Sequence, residues 1–151
     1  MKKFVLFFAT GFGSGYIPIM PGTCGSLVGV GLFWLLKDLH AAPYLVTIAT
    51  FTVFACWVAG QADLVMGTKD NQKIVIDEIV GIFVTMALVP VSWKSLLAGF
   101  VLFRIFDIWK PFPVRLLQDK VPGGWGVVGD DVMAGVYANL ILQVARHFGV
   151  L

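Results

Sequence analysis

Apolar residues run along this chain in blocks, separated by short polar or glycine- and proline-rich breaks. The cleanest block is residues 43–62, PYLVTIATFTVFACWVAGQA, in which no position carries a charge. About 20 such residues are what a helix needs to cross a hydrocarbon layer of roughly 30 Å. Four other blocks are shorter or interrupted: Gly25 to Leu36, Ile79 to Val91, Leu96 to Phe106 and Val132 to Val144. Pro90 and the VSWK turn part the second of these from the third, and Pro111 and Pro113 end the third. The start, MKKFVLFFATGFG, imitates a signal peptide, but its apolar stretch is short and no small-x-small site follows cleanly, so it reads as a retained helix. VPGGWGVVGDD, residues 121–131, reads as a glycine-rich loop, with Asp130 or Asp131 capping the helix behind it. Polar and apolar residues do not alternate with period two, which argues against a transmembrane barrel. The pattern predicts an all-α fold: one domain over residues 1–151, a compact bundle of about six helices, partly membrane-embedded, with small residues letting backbones approach.

Composition strengthens the lipid reading. The chain is 58% hydrophobic and 13% charged, where soluble domains run near half and a quarter. Its mean hydropathy is +0.88, and 151 residues cannot hide so much apolar surface in one core. A net charge of +2 without any basic tract excludes nucleic acid as a partner. Cys24 and Cys56 form neither a metal spacing nor a disulfide framework and read as reduced, structural thiols.

The acids change the picture most. Of nine, five fall in three segments that border apolar blocks: Asp77 and Glu78 in IVIDEIVGIFV, Asp107 in FRIFDIWKPFPVR, and Asp130 and Asp131 in GVVGDDVMAGVY. A carboxylate against lipid costs on the order of 2.5–3.5 kcal/mol even on the mildest scale, so such groups face a bundle interior or wet cavity. Taken singly, each has a structural explanation: a helix cap, a dipole partner, an intrahelical ion pair with Arg104. Together, in an acid-poor chain, they call for a shared cation, because like charges oppose one another's ionisation. All-oxygen ligands suit Mg²⁺, and no His or Cys cluster offers a zinc alternative. Arg104, Asp107 and Lys110 recur every three residues on one side of a helix, with Arg115 beyond the prolines. Cations beside metal ligands are what a phosphoryl group requires.

GFGSGYIPIMPGTCGSL, residues 11–27, then reads as an anion cradle, in which backbone N–H groups and the hydroxyls of Ser14, Thr23 and Ser26 point at phosphoryl oxygens. The other reading is a tight re-entrant turn between two apolar helices. No Walker pattern is present.

These blocks, GFGSGYIPIMPGTCGSL, IVIDEIVG, FRIFDIWKPFPVR and GGWGVVGDDVMAGVYAN, taken in order, resemble the signature of the phosphatidylglycerophosphatase A family over about residues 10 to 140. The resemblance implies Mg²⁺-dependent hydrolysis of the phosphomonoester of phosphatidylglycerophosphate to phosphatidylglycerol and inorganic phosphate. It also implies an all-helical protein of the bacterial inner (cytoplasmic) membrane whose site faces the cytoplasm.

The residues narrow the chemistry. No cysteine precedes an arginine at phosphatase spacing, no DxDx[TV] occurs, and no histidine is set as in phosphohistidine enzymes. Water attacking phosphorus with metal assistance remains, with Asp77, Glu78, Asp130 and Asp131 as ligands and Asp107 as ligand or base. The catalytic candidates are thus Asp77, Asp107 and Asp131, and the substrate-binding ones Ser14, Thr23, Ser26, Arg104, Lys110 and Arg115. A covalent aspartyl-phosphate stays open, as do the base's identity and the oligomeric state. Two rivals from other classes are a cation transporter, which would leave the basic face idle, and a non-catalytic lipid-binding protein.

Overall fold

The computed structural model describes residues 1–68 and 71–151. Among them are seven α-helices and no strand: α1 (Lys2–Ala9), α2 (Pro21–Leu36), α3 (Ala41–Met66), α4 (Ile76–Thr85), α5 (Trp93–Trp109), α6 (Val114–Lys120) and α7 (Gly124–His147). A 3₁₀ turn, Ser14–Tyr16, lies between the first two.

Local chemistry sets most of the ends. Pro21 opens α2, where its missing N–H costs nothing. Gly67, at φ 71°, closes α3 by donating its N–H to Asp63 O. Ser92 and Ser95 form a reciprocal cap on α5, with N–H to Oγ distances of 3.0 and 2.8 Å. Its other end stops at Lys110, in the left-handed region at φ 47°, immediately before Pro111.

One expectation is corrected here. VPGGWGVVGDD is not a loop ahead of a capped helix; α7 starts at Gly124, behind an N-cap at Gly123, and Asp130 and Asp131 sit inside it without capping. Two of the glycines serve close packing instead: a Cβ on Gly124 would meet Cys56 O of α3, and one on Gly126 would meet Val121 O. The helix count rises from six to seven because α6 is a short turn between two proline-marked breaks.

The core is built around α4. Eight of its ten residues are buried, Asp77 included, and it packs on α7 along one side and on α2, α3 and α5 around the rest. Val5 and Ala9 of α1 join the cluster formed with Ala59, Val80 and Val128, while Phe33, Ile82, Phe103 and Leu142 centre a second one. Side chains of α7 finish the end of α4: Asn139 Nδ2 donates to Thr85 O and Ala87 O, each at 2.8 Å.

The tightest packing lies where α4, α5 and α7 converge. A Cβ on Gly81 would drive into the ring of the fully buried Phe103 and lie 3.2 Å from Asp131 O. A Cβ on Gly135 would come 2.6 Å from Gly81 O. Gly81, Phe103 and Gly135 each lie one helical turn from an acid: Asp77, Asp107 and Asp131 respectively. The three-way contact therefore fixes how those carboxyl groups converge.

Two helices, α3 and α7, are long and apolar enough to cross a membrane, at about 39 and 36 Å by the rise per residue. The apolar stretch of α3 is 22% buried against 44% for α7, so α3 is the outer of the two. Large apolar side chains face outward on several helices, among them Leu35, Leu64, Ile108 and Leu140.

Gly81→Ala should lower the thermal midpoint in detergent, at an overpacking cost of about 1–3 kcal/mol. Gly31→Ala, on an exposed face of α2 with nothing within 4 Å of the added Cβ, should leave it unchanged or raise it. Equal midpoints for the two variants would contradict the three-way contact.

Candidate active site

Seven charged side chains line one pocket of about 540 Å³: Asp77 and Glu78 from α4, Arg104 and Asp107 from α5, Lys110 just past it, and Asp130 and Asp131 from α7. The chain ahead of α2, with Pro18 and Met20, and the first residues of α2, Pro21 and Gly22, close a further wall. Asp77 and Glu78 fall in the first turn of α4, where unpaired N–H groups favour negative charge. Asp107 and Arg104 lie one turn apart near the end of α5, and the left-handed conformation of Lys110 turns the chain there.

Five carboxyl groups face two cationic side chains, and the pairing is incomplete. Arg104 bonds Asp107 at 2.5 Å and stands 4.0 Å from Glu78 Oε1, and Lys110 bonds Asp130 at 2.5 Å. Asp77 Oδ1 accepts from the Glu78 N–H and Asp130 Oδ1 from the Asp131 N–H, both at 3.1 Å. Glu78 Oε2, Asp131 Oδ2 and Arg104 Nε are buried with no hydrogen-bond partner among the described residues. Carboxylate oxygens of Asp77, Glu78 and Asp131 lie within 4.8 Å of one another, close enough to share one ion.

The electrostatics follow from this crowding. Burial, followed by the charge of Glu78, pushes the Asp77 carboxyl well above its ordinary range. Burial also pushes Glu78 up to about 8; its hydrogen bond with Asp77 works the other way, and the Asp131 and Asp107 charges add to the rise. Burial works to lower Lys110, but the Asp130 carboxylate and its hydrogen bond outweigh it, so the ammonium is held above its usual value.

Four sequence-predicted binding residues lie outside this pocket. Ser14 Oγ donates to Thr10 O at 3.3 Å, and the fully buried Ser26 Oγ donates to Gly22 O at 2.9 Å. Thr23 lines an adjoining apolar groove beside Arg104. Arg115, on α6, has a side chain 80% exposed and stands 4.0 Å from Asp119. The reason is that α2 starts at Pro21, making Thr23 and Ser26 helical; Ser26 bonds back four residues, as helical hydroxyls do. The opening loop thus contributes shape more than hydroxyl donors.

Gly22 is the residue sequence reasoning missed. A Cβ there would run into Glu78 Oε1 and lie 3.2 Å from the Arg104 guanidinium. The only signal was its place in Pro-Gly, which reads as turn chemistry and says nothing of contact with the distant Glu78.

The raised Glu78 carboxyl has a thermodynamic consequence. Its folded value near 8 exceeds the ordinary 4.5, so between those values the folded state holds a proton that the unfolded chain releases, and stability falls as pH rises. In chelator, the thermal midpoint should drop from pH 5 to pH 8, and Glu78→Gln should flatten that slope. A midpoint independent of pH would contradict the buried cluster.

A family model described as Phosphatidylglycerophosphatase A matches residues 7–146. The chain is 42% identical over 142 residues to Phosphatidylglycerophosphatase A of Haemophilus influenzae, covering 93% of this chain and 87% of that protein. It is 39% identical over 140 residues to the protein of the same name from Escherichia coli, covering 92% and 81%. A Bacteroides thetaiotaomicron protein named Putative phosphatidylinositol-3-phosphatase is 40% identical over 147 residues, covering 91% and 90%. No solved structure matches. With the acidic blocks gathered in one pocket and relatives of this identity along most of its length, the chain belongs to the phosphatidylglycerophosphatase A family.

Proposed function

We propose that this protein hydrolyses the phosphomonoester of phosphatidylglycerophosphate, releasing phosphatidylglycerol and inorganic phosphate, with Mg²⁺ as its metal. In this reading α3 and α7 cross the inner (cytoplasmic) membrane of a bacterium and the acidic pocket opens to the cytoplasm. One observation carries it. The buried groups without partners are of both signs, two carboxylate oxygens and one guanidinium N–H, in a single pocket. Leaving such groups unpaired is costly, and a cation together with an anion satisfies them all. A phosphoryl group bound with a divalent ion is such a ligand. A cation path alone would leave the arginine donor unanswered.

The donor set fits Mg²⁺. Asp77, Glu78 and Asp131 supply clustered hard oxygens, with Asp130 and Asp107 beside them. When bound, the ion supplies charge neutralisation for the phosphoryl oxygens and makes water in the pocket more acidic. Arg104 and Lys110 donate hydrogen bonds to the non-bridging oxygens and favour the charge that builds on them during displacement. Asp107, less buried than Asp77, Asp130 and Asp131 and oriented by Arg104, takes the proton from the attacking water. The P–O bond to the glycerol carbon's oxygen breaks as the water oxygen bonds to phosphorus, and the departing alkoxide takes up a proton.

Phosphate release from phosphatidylglycerophosphate in mixed micelles should occur with Mg²⁺ and vanish in excess EDTA. Well-folded protein that releases none would remove the enzyme reading.

Asp77→Asn, Asp107→Asn and Asp130→Asn should each lower kcat by roughly a hundredfold or more. Asp38→Asn, at an exposed carboxylate paired with Lys37, should stay within about twofold, as surface pairs contribute little. Full activity in the first group would overturn the site.

A further inference from the structure

The acidic pocket adjoins a groove of about 710 Å³ with a contrasting lining. Arg104 and Met20 belong to both walls, so the two spaces lie side by side with these residues between them. Apart from Arg104 and Thr23, the lining of the groove is apolar. Val101, Arg104, Ile105 and Ile108 follow the i, i+3, i+4, i+7 spacing of one helix face, and Trp109 extends that face to the end of α5. These apolar side chains are far from hidden: Val101 is 45%, Ile105 48%, Ile108 68% and Trp109 71% exposed, and Met20 across the groove is 60% exposed. On the other flank, a polar recess with Asn71, Gln72 and Lys73 shares Gln72 with the acidic pocket. The acidic pocket thus has an apolar neighbour and a polar neighbour, with a guanidinium bordering the apolar one.

We propose that this groove seats an acyl chain of the lipid substrate, and that Met20, Ile105, Ile108 and Trp109 determine the preference for a membrane-anchored phosphomonoester over a soluble one. The inference rests on the lipid phosphatase reading and deepens it. The occupant is specified by charge and adjacency. A molecule that puts a dianion against Arg104 and Lys110 and runs an apolar tail from Arg104 to Trp109, along about 8 Å of helix, is a lipid phosphomonoester. A helix of another protein docked in the groove would match the apolar lining but not the adjoining acidic pocket. Thr23, beside Arg104 in the groove, offers a hydroxyl to the linkage between head and tail.

Two measurements test this. The first compares long-chain phosphatidylglycerophosphate in mixed micelles with its dibutanoyl analogue, which is monomeric in water. Ile105→Asn and Ile108→Asn should raise KM for the long-chain lipid roughly tenfold, the effect of losing apolar contact along a chain, and move kcat/KM for the dibutanoyl analogue less than about twofold. Leu64→Asn, at an equally exposed apolar site on α3 outside the groove, should change neither. Parallel losses on both substrates, or no change on either, would overturn the groove. The second uses the unaltered protein and a long-chain phosphatidylglycerophosphate with a diazirine midway along one chain. After irradiation, label should concentrate on residues 101–109; label spread evenly over α3 and α5 would overturn the proposal. Because labelling needs no turnover, protein that hydrolyses neither substrate removes the phosphatase reading while the label still decides the groove.

Discussion

Three helices can converge only where their side chains make room, and here room is made by glycine at two of three positions. Gly81 of α4 receives the ring of Phe103 from α5 and the backbone of α7, and Gly135 brings α7 onto the carbonyl of Gly81. Close approach of this kind gains dispersion contacts along both backbones. Its larger effect is geometric. One turn from that contact stand Asp77, Asp107 and Asp131, held by helices that have no freedom to slide apart. Like-charged groups would separate if the scaffold allowed it. The packing below them is what keeps the cluster together.

The ion pairs modulate this stress without removing it. Arg104 and Lys110 answer Asp107 and Asp130 at close range, while Arg104 reaches Glu78 only at 4.0 Å and Asp77 is left to a helix N-terminus and to Glu78. That division separates two kinds of work. The paired acids keep the two cations close to the pocket. In the proposed reading the others, Asp77, Glu78 and Asp131, are the hard ligands. Gly22 then brings the first turn of α2 against both sets, since only a residue without a side chain fits beside Glu78 and Arg104.

Much of this was legible in the chain. The charge-free block at 43–62 lies within α3, and the three acidic segments are the ones that meet in the pocket. Carboxylates among apolar residues are informative because their cost leaves few places to put them. Hydroxyls and glycines were less readable, because each has several uses. Ser26 bonds a carbonyl of its own helix, and Gly124 and Gly126 of VPGGWGVVGDD are helical contacts rather than loop residues, since the periodicity of a helix continues through them unseen. What a glycine touches depends on a partner helix that no local window contains, so Gly22, Gly81 and Gly135 needed the fold to be understood.

The shortness of α4 separates two lengths that are usually tied together. At ten residues it spans about 15 Å, half of a typical hydrocarbon layer, and it is encircled by other helices along that span. In a bilayer, the outer helix α3 meets changes in lipid thickness and answers them by tilting. Asp77 and Glu78 ride on that encircled element, while Asp107 comes from α5 and Asp130 and Asp131 from α7. The depth of the α4 pair is thus measured from the protein's own core and not from its outermost helix.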